Sequence, residues 1–131
     1  MKMKIRAILQ GHLSEINDDI ETVWEGVGSE PNLPYQSVFL NISSSLTSAI
    51  SDKPKSQETG FLQVTLYYQS GRGTLEIEER ANQIRQHFYG KSFAKKGVQV
   101  VIHSPPQIGG TYLNDNILAL PVTINFTAYE L

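Results

Sequence analysis

The sequence predicts an α+β domain, an antiparallel sheet of about four strands with two helices packed on one face, in the order α-β-β-α-β-β. Three observations carry this prediction. Apolar residues at Ile5, Ile8, Leu9, Leu13, Ile16 and Ile20 fall three and four apart, as on one face of a helix. Ile77, Ala81, Ile84 and Phe88 repeat that period in mid-chain. Elsewhere the period drops to two, most regularly where Leu118, Leu120, Val122, Ile124, Phe126 and Ala128 alternate with Ala119, Pro121, Thr123, Asn125 and Thr127.

Taken in order, the first helix runs from about Lys2 to Ile16 and ends at Asn17-Asp18-Asp19. Thr22-Val23-Trp24 is a short extended piece, an extra strand ahead of the turn-rich run from Gly26 to Pro34. Tyr35 to Ile42 reads as a strand, with Val38, Leu40 and Ile42 on one face and Ser37, Phe39 and Asn41 on the other. Residues Ser43 to Gly60 hold a serine cluster, Asp52-Lys53-Pro54-Lys55 and little apolar periodicity beyond Leu46, Ala49 and Ile50, so they read as a long exposed loop.

From Gly60, Leu62, Val64, Leu66 and Tyr68 alternate with Gln63, Thr65, Tyr67 and Gln69 in a second strand. Ser70-Gly71-Arg72-Gly73 turns the chain, and Thr74 is placed to cap a helix ending near Tyr89, with Gly90 as its stop. Glu76, Glu78 and Glu79 at its start and Arg85, His87 and Lys91 near its end complement the helix dipole. Strands over Val98 to His103 and Ile117 to Tyr129 complete the chain. Each inward side chain contributes about 1.5 to 3 kcal/mol when fully buried, so helices and sheet hold one another.

At 131 residues the chain suits a single domain, and a domain of this length buries about two-thirds of its unfolded surface without a metal or disulfide staple. The absence of cysteine excludes a thiol nucleophile, a disulfide framework and cysteine-ligated metal centres. A formal charge of −2, with 18% of residues charged, gives no field for wrapping duplex DNA. Lys2, Lys4 and Arg6 give a basic start, but Gln10, His12, Glu15 and Asp18 break the apolar run a secretory signal requires. With no window of about 18 apolar residues, a soluble protein without membrane attachment is expected.

Candidate chemical sites have plainer readings. Ser70-Gly71-Arg72-Gly73-Thr74 lies between strand and helix, where phosphate loops sit, yet lacks the lysine and spacing of a P-loop and the third glycine of a dinucleotide fingerprint. A strand-to-helix turn accounts for its glycines. His12, His87 and His103 belong to two helices and a strand and show no HxxxH or HxH ligand spacing. Ser43-Ser44-Ser45 and Ser48 are not framed as a GxSxG elbow, and Glu76, Glu78 and Glu79 read as a solvated helix face. No catalytic residue, cofactor or metal site is expected.

Contact features stand out instead. Phe39, Phe61 and Tyr67 put aromatic surface on the otherwise polar parity of adjacent strands, and a clustered set marks a contact site. Pro121 interrupts the last strand, which suggests an edge or a bulge, and an edge can be extended by a neighbouring subunit. Leu46 and Ile50 are the large apolar residues of the 43–60 loop. Phe39, Leu46, Ile50, Phe61, Tyr67 and Pro121 are thus the candidate interface residues.

The run Gly60-Phe61-Leu62-Gln63-Val64-Thr65-Leu66-Tyr67-Tyr68 into Ser70-Gly71-Arg72-Gly73, with a helix ending near Phe88, resembles the core of phage tail terminator proteins of the minor tail protein U type. Pro105-Pro106-Gln107-Ile108-Gly109 and Leu120-Pro121-Val122-Thr123-Ile124-Asn125-Phe126 are similar to that family's closing hairpin. The likeness spans most of the chain; the 43–60 segment has no counterpart in it. It implies a structural virion protein and not an enzyme: a ring, commonly a hexamer, at the head-proximal end of the tail tube of a siphophage or prophage. Such a ring halts tube polymerisation, contacts the tail tube protein and a head-tail connector, passes DNA through its lumen without specific binding, and assembles in the host cytoplasm. The alternatives are a neck or head-completion protein of the same assembly and, in another class, a small ligand-binding or enzymatic α+β domain.

Overall fold

Two helices cover one face of an eight-stranded mixed sheet in the computed structural model, which describes residues 1–16, 20–49 and 52–131. The order is α1 (Lys2–Ser14), β1 (Glu21–Val23), β2 (Tyr35–Ala49), β3 (Lys55–Gln69), α2 (Leu75–Phe88), β4 (Ser92–Lys95), β5 (Val98–Val101), β6 (Gln107–Ile108), β7 (Tyr112–Asn114) and β8 (Ile117–Glu130). Across the sheet the strands run β1-β2-β3-β8-β5-β4, with β6 and β7 also pairing β8. The α+β class holds. The sheet has eight strands where the sequence suggests about four, six of them across its width, the order has additional strands, and β1 runs parallel to β2 while the other pairs are antiparallel.

The predicted alternations locate the core. Val38, Leu40, Leu62, Val64, Leu66, Leu120, Val122, Ile124, Phe126 and Ala128 are buried on the helix-covered face of β2, β3 and β8. Against them lie Ile5, Ile8, Leu9 and Leu13 from α1 and Ile77, Ala81, Ile84 and Phe88 from α2, in one continuous cluster. The turn before α2 uses both its glycines at positive φ, 85° at Gly71 and 79° at Gly73, which accounts for them without a phosphate. Thr74 occupies the N-cap position, but its side chain makes no capping hydrogen bond.

The 43–60 segment is the largest departure. It is no loop: Ser43 to Ala49 continue β2, and Lys55 to Gly60 begin β3. Ser44, Ser45, Leu46 and Thr47 pair with Thr59, Glu58, Gln57 and Ser56, with register shifts between Ile42 and Ser44 and between Thr47 and Ala49. Ser43 through Thr47 are exposed on both faces, so backbone pairing and not burial builds this arm, and alternation, which reports burial, is silent there. The shift at Ser43 brings Gly60 against the opposite strand so closely that a Cβ would collide with Asn41 O and lie 3.1 Å from Ile42 Cα. Ile50 lies outside the described residues.

Pro121 also corrects an expectation. Its strand is interior, flanked by β3 on one side and by β5, β6 and β7 on the other. Pro121 O accepts from Gly109 N at 2.8 Å, and in an antiparallel ladder a residue's N and O face the same side. The missing amide therefore points away from β3, into the gap between β6 at Val122–Thr123 and β7 at Ile117–Ala119, where the sheet asks for no donor. Gly109 is required there, since a Cβ would stand 2.8 Å from Pro121 Cγ. The strands β4, β6 and β7 are two to four residues long and mostly exposed, too short for a period to register.

Candidate functional site

The helix-free face of the sheet gathers most of the predicted contact residues. Tyr35 and Tyr67 are directly opposite in the β2–β3 ladder, their rings stacked 4.7 Å apart. Burial pushes the Tyr35 hydroxyl above its ordinary pKa, with Tyr67 as the lesser cause. Phe39 and Phe61 form the next, diagonal pair at 6.4 Å, and Phe39 is 47% exposed. Phe61 also lies opposite Asn125 and Thr65 opposite Pro121, so the patch runs from β2 across β3 to β8. Tyr35 was the member that sequence reasoning missed, although its parity with Phe39 could have found it. Leu46, 61% exposed and paired with Gln57, stands apart on the outer half of the β2–β3 hairpin.

Past β1, the outer edge of β2 is closed by a side chain. The β1 ladder stops at Val23–Ser37, and Leu40 N donates to Glu25 Oε1 at 3.0 Å, the carboxylate standing where a strand carbonyl would be. Arg6 of α1 holds the same oxygen at 2.8 Å. The Arg6 hydrogen bond, then the Leu40 amide, keep the Glu25 carboxyl below its ordinary range.

Two polar clusters tie the helices into place. Arg80, 6% exposed, donates to Gln36 Oε1 at 2.9 Å, and Gln36 Nε2 donates to Thr22 Oγ1 at 3.0 Å, linking α2 through β2 to β1. Burial pushes the Arg80 guanidinium down to about 10, leaving it charged at neutral pH. In the second cluster, His12 Nε2 donates to His87 O at 2.7 Å and His87 Nε2 donates to His12 O at 2.6 Å. Both acceptors are carbonyls of a last helical turn, so each helix caps the other's C-terminal end. The rings stack 3.8 Å apart, with Phe88 edge-on to His12.

Glu15 adds a third group to that pair, its Oε2 being 3.0 Å from His12 Nδ1 and 3.9 Å from His87 Nε2, and the three residues could be read as metal ligands. The stacking argues against it. Rings stacked 3.8 Å apart and only 10° from parallel keep their in-plane lone pairs in two separate, nearly parallel planes, whereas zinc requires both to point at one ion at about 2.0–2.1 Å. Both Nε2 atoms are also engaged by carbonyls. No local pattern signals that His12 and His87, 75 positions apart, meet; His103 is exposed elsewhere.

The family model described as phage tail terminator protein matches residues 4–126. This chain belongs to the phage tail terminator family. A tail terminator is a structural component of the phage tail, so the role rests on contacts with other tail and head components. Among solved structures, one that is 17% identical superposes with a TM-score of 0.79, covering 98% of this chain and 95% of its own, a likeness of fold. No curated protein matches. Among the described residues no helix of this terminator is long and apolar enough to cross a membrane.

Proposed function

We propose that the chain forms a ring, a hexamer, that caps the head-proximal end of the tail tube, stops its polymerisation and offers its other side to the head-tail connector. The observation that carries this reading is the match to the tail terminator family over residues 4–126, joined to a sheet face left free of helices and bearing Tyr35, Phe39, Phe61 and Tyr67. Aromatic clusters are the groups that anchor protein interfaces. In this proposal Phe39, Phe61 and Tyr67, with Pro121 behind them, meet the tube protein, and the β2–β3 arm with Leu46 reaches along it. DNA passes through the lumen without specific binding, in keeping with the net charge of −2. The part played is geometric and no reaction is catalysed.

The test adds the purified chain to polymerising tube protein and measures tube lengths by negative-stain electron microscopy. Arrest at short, uniform lengths is expected, and the double variant Phe39→Glu/Tyr67→Glu should lose it while keeping its fold by circular dichroism. Tubes that grow equally long with and without the chain would refute the reading.

A further inference from the structure

Between α1 and the β4–β5 turn lies a groove of about 260 Å³, floored by Ala7, Ile8 and Gly11 and rimmed by Lys4, Lys95 and Lys96. Lys4 Nζ donates to Lys96 O at 3.1 Å, fixing the turn against the helix. Gly11 is informative. It sits inside α1, where glycine weakens a helix relative to alanine, and its φ is not in the left-handed region. A Cβ built on it meets nothing within 4 Å. Nothing within the described chain therefore calls for glycine there, whereas close approach by a partner would.

The matching surface is at the other end of the molecule. The first turns of α2 present Leu75, 69% exposed, among the exposed carboxylates of Glu76, Glu78 and Glu79. The β4–β5 turn lies beside Glu130 and the start of α2 follows Gln69, which pairs with Ile117, so the whole of β8 separates the two surfaces. At about 3.4 Å per residue that is about 44 Å. A chain with a net charge of −2 thus carries a basic apolar groove at one end and an acidic apolar projection at the other.

We infer that the groove receives the first turns of α2 from a second copy of this chain, Leu75 seating over Ala7 and Gly11 while the glutamates meet Lys4, Lys95 and Lys96. The inference rests on the ring reading and supplies its contact. Because groove and occupant are different surfaces, the contact is head-to-tail and passes from copy to copy until it closes. The charges are exposed and hence screened by salt, so they select the partner and the register while the Leu75 contact supplies most of the attraction.

Native mass spectrometry and sedimentation velocity on the full chain test this, with thermal melts to verify folding. The wild type should be oligomeric. Gly11→Leu, which improves the helix but fills the groove, should melt no lower than wild type at dilutions where both are monomeric and yet self-associate more weakly, with a dissociation constant raised about tenfold or more. Lys95→Glu/Lys96→Glu and Glu76→Lys/Glu78→Lys/Glu79→Lys should each be folded monomers, and mixing the two should restore oligomers by pairing reversed with native surfaces. Folded variants that all stay oligomeric like the wild type would overturn this contact and leave the ring standing. A wild type that is monomeric at every concentration, and alongside tube protein, would overturn the ring itself.

Discussion

Replacing Gly60 by alanine tests the β2–β3 register most sharply. The new methyl would be driven into Asn41 O and to 3.1 Å from Asn41 C and Ile42 Cα. These are backbone atoms of a paired strand, so no side chain can rotate aside, and relief requires moving the shifted register at Ser43. Overpacking of this kind costs about 1–3 kcal/mol, and a backbone obstacle places Gly60→Ala in the upper half of that range. An unfolding entropy of about 2.1 cal/mol/K per residue gives about 275 cal/mol/K for 131 residues, or about 3.6 °C per kcal/mol. The melting midpoint should therefore fall by about 7–11 °C in a reversible calorimetric scan. A midpoint within about 2 °C of wild type would mean that Gly60 does not face Asn41 and that the arm is paired otherwise.

Three further outcomes are expected. Gly11→Ala, with open space around its new methyl within one chain, should stabilise the dissociated chain by about 0.5–1 kcal/mol, raising the midpoint measured at dilution by about 2–4 °C. His87→Ala removes the stack and the donor to His12 O while keeping the backbone carbonyl that His12 Nε2 bonds, so denaturant titration should show a loss of about 1–3 kcal/mol. Glu25 has a depressed carboxyl pKa in the folded state, so its contribution is present above the ordinary value of 4.5 and disappears as pH falls through the folded value. The stability gap between wild type and Glu25→Gln should be widest near neutrality and close in acid; a gap constant from pH 7 down to pH 3 would contradict the Arg6–Glu25–Leu40 link.

Legibility in the sequence followed burial. The two helices and the inner halves of β2, β3 and β8 were readable because one face of each is covered, which writes a period of 3.6 or 2 into Ile5 to Leu13, Ile77 to Phe88 and Leu118 to Ala128. Ser43 to Thr47 were unreadable as strand because nothing covers either face, and β6 and β7 because neither exceeds three residues. Pro121 was read correctly as lacking a donor, but the edge or bulge inferred from it is not what accommodates it; a two-residue gap, Leu120–Pro121, between the β6 and β7 pairings satisfies the same constraint inside the sheet. The aromatic patch came from parity against the core, since Phe61 and Tyr67 alternate with buried Leu62, Val64 and Leu66 on β3 and Phe39 with buried Val38 and Leu40 on β2, so a register that joins the two buried faces also joins the aromatics. The His12–His87 clamp had no local signature, because its two halves lie on different helices.

The most direct test of the central claim is where the chain sits in assembled particles. Cryo-electron microscopy of tails carrying a tagged copy should find it as a single ring at the end of the tube that joins the head, with tubes overgrown when it is withheld. A tag found along the tube or at the distal tip, or absent from the particle while tube length is unchanged, would contradict the account.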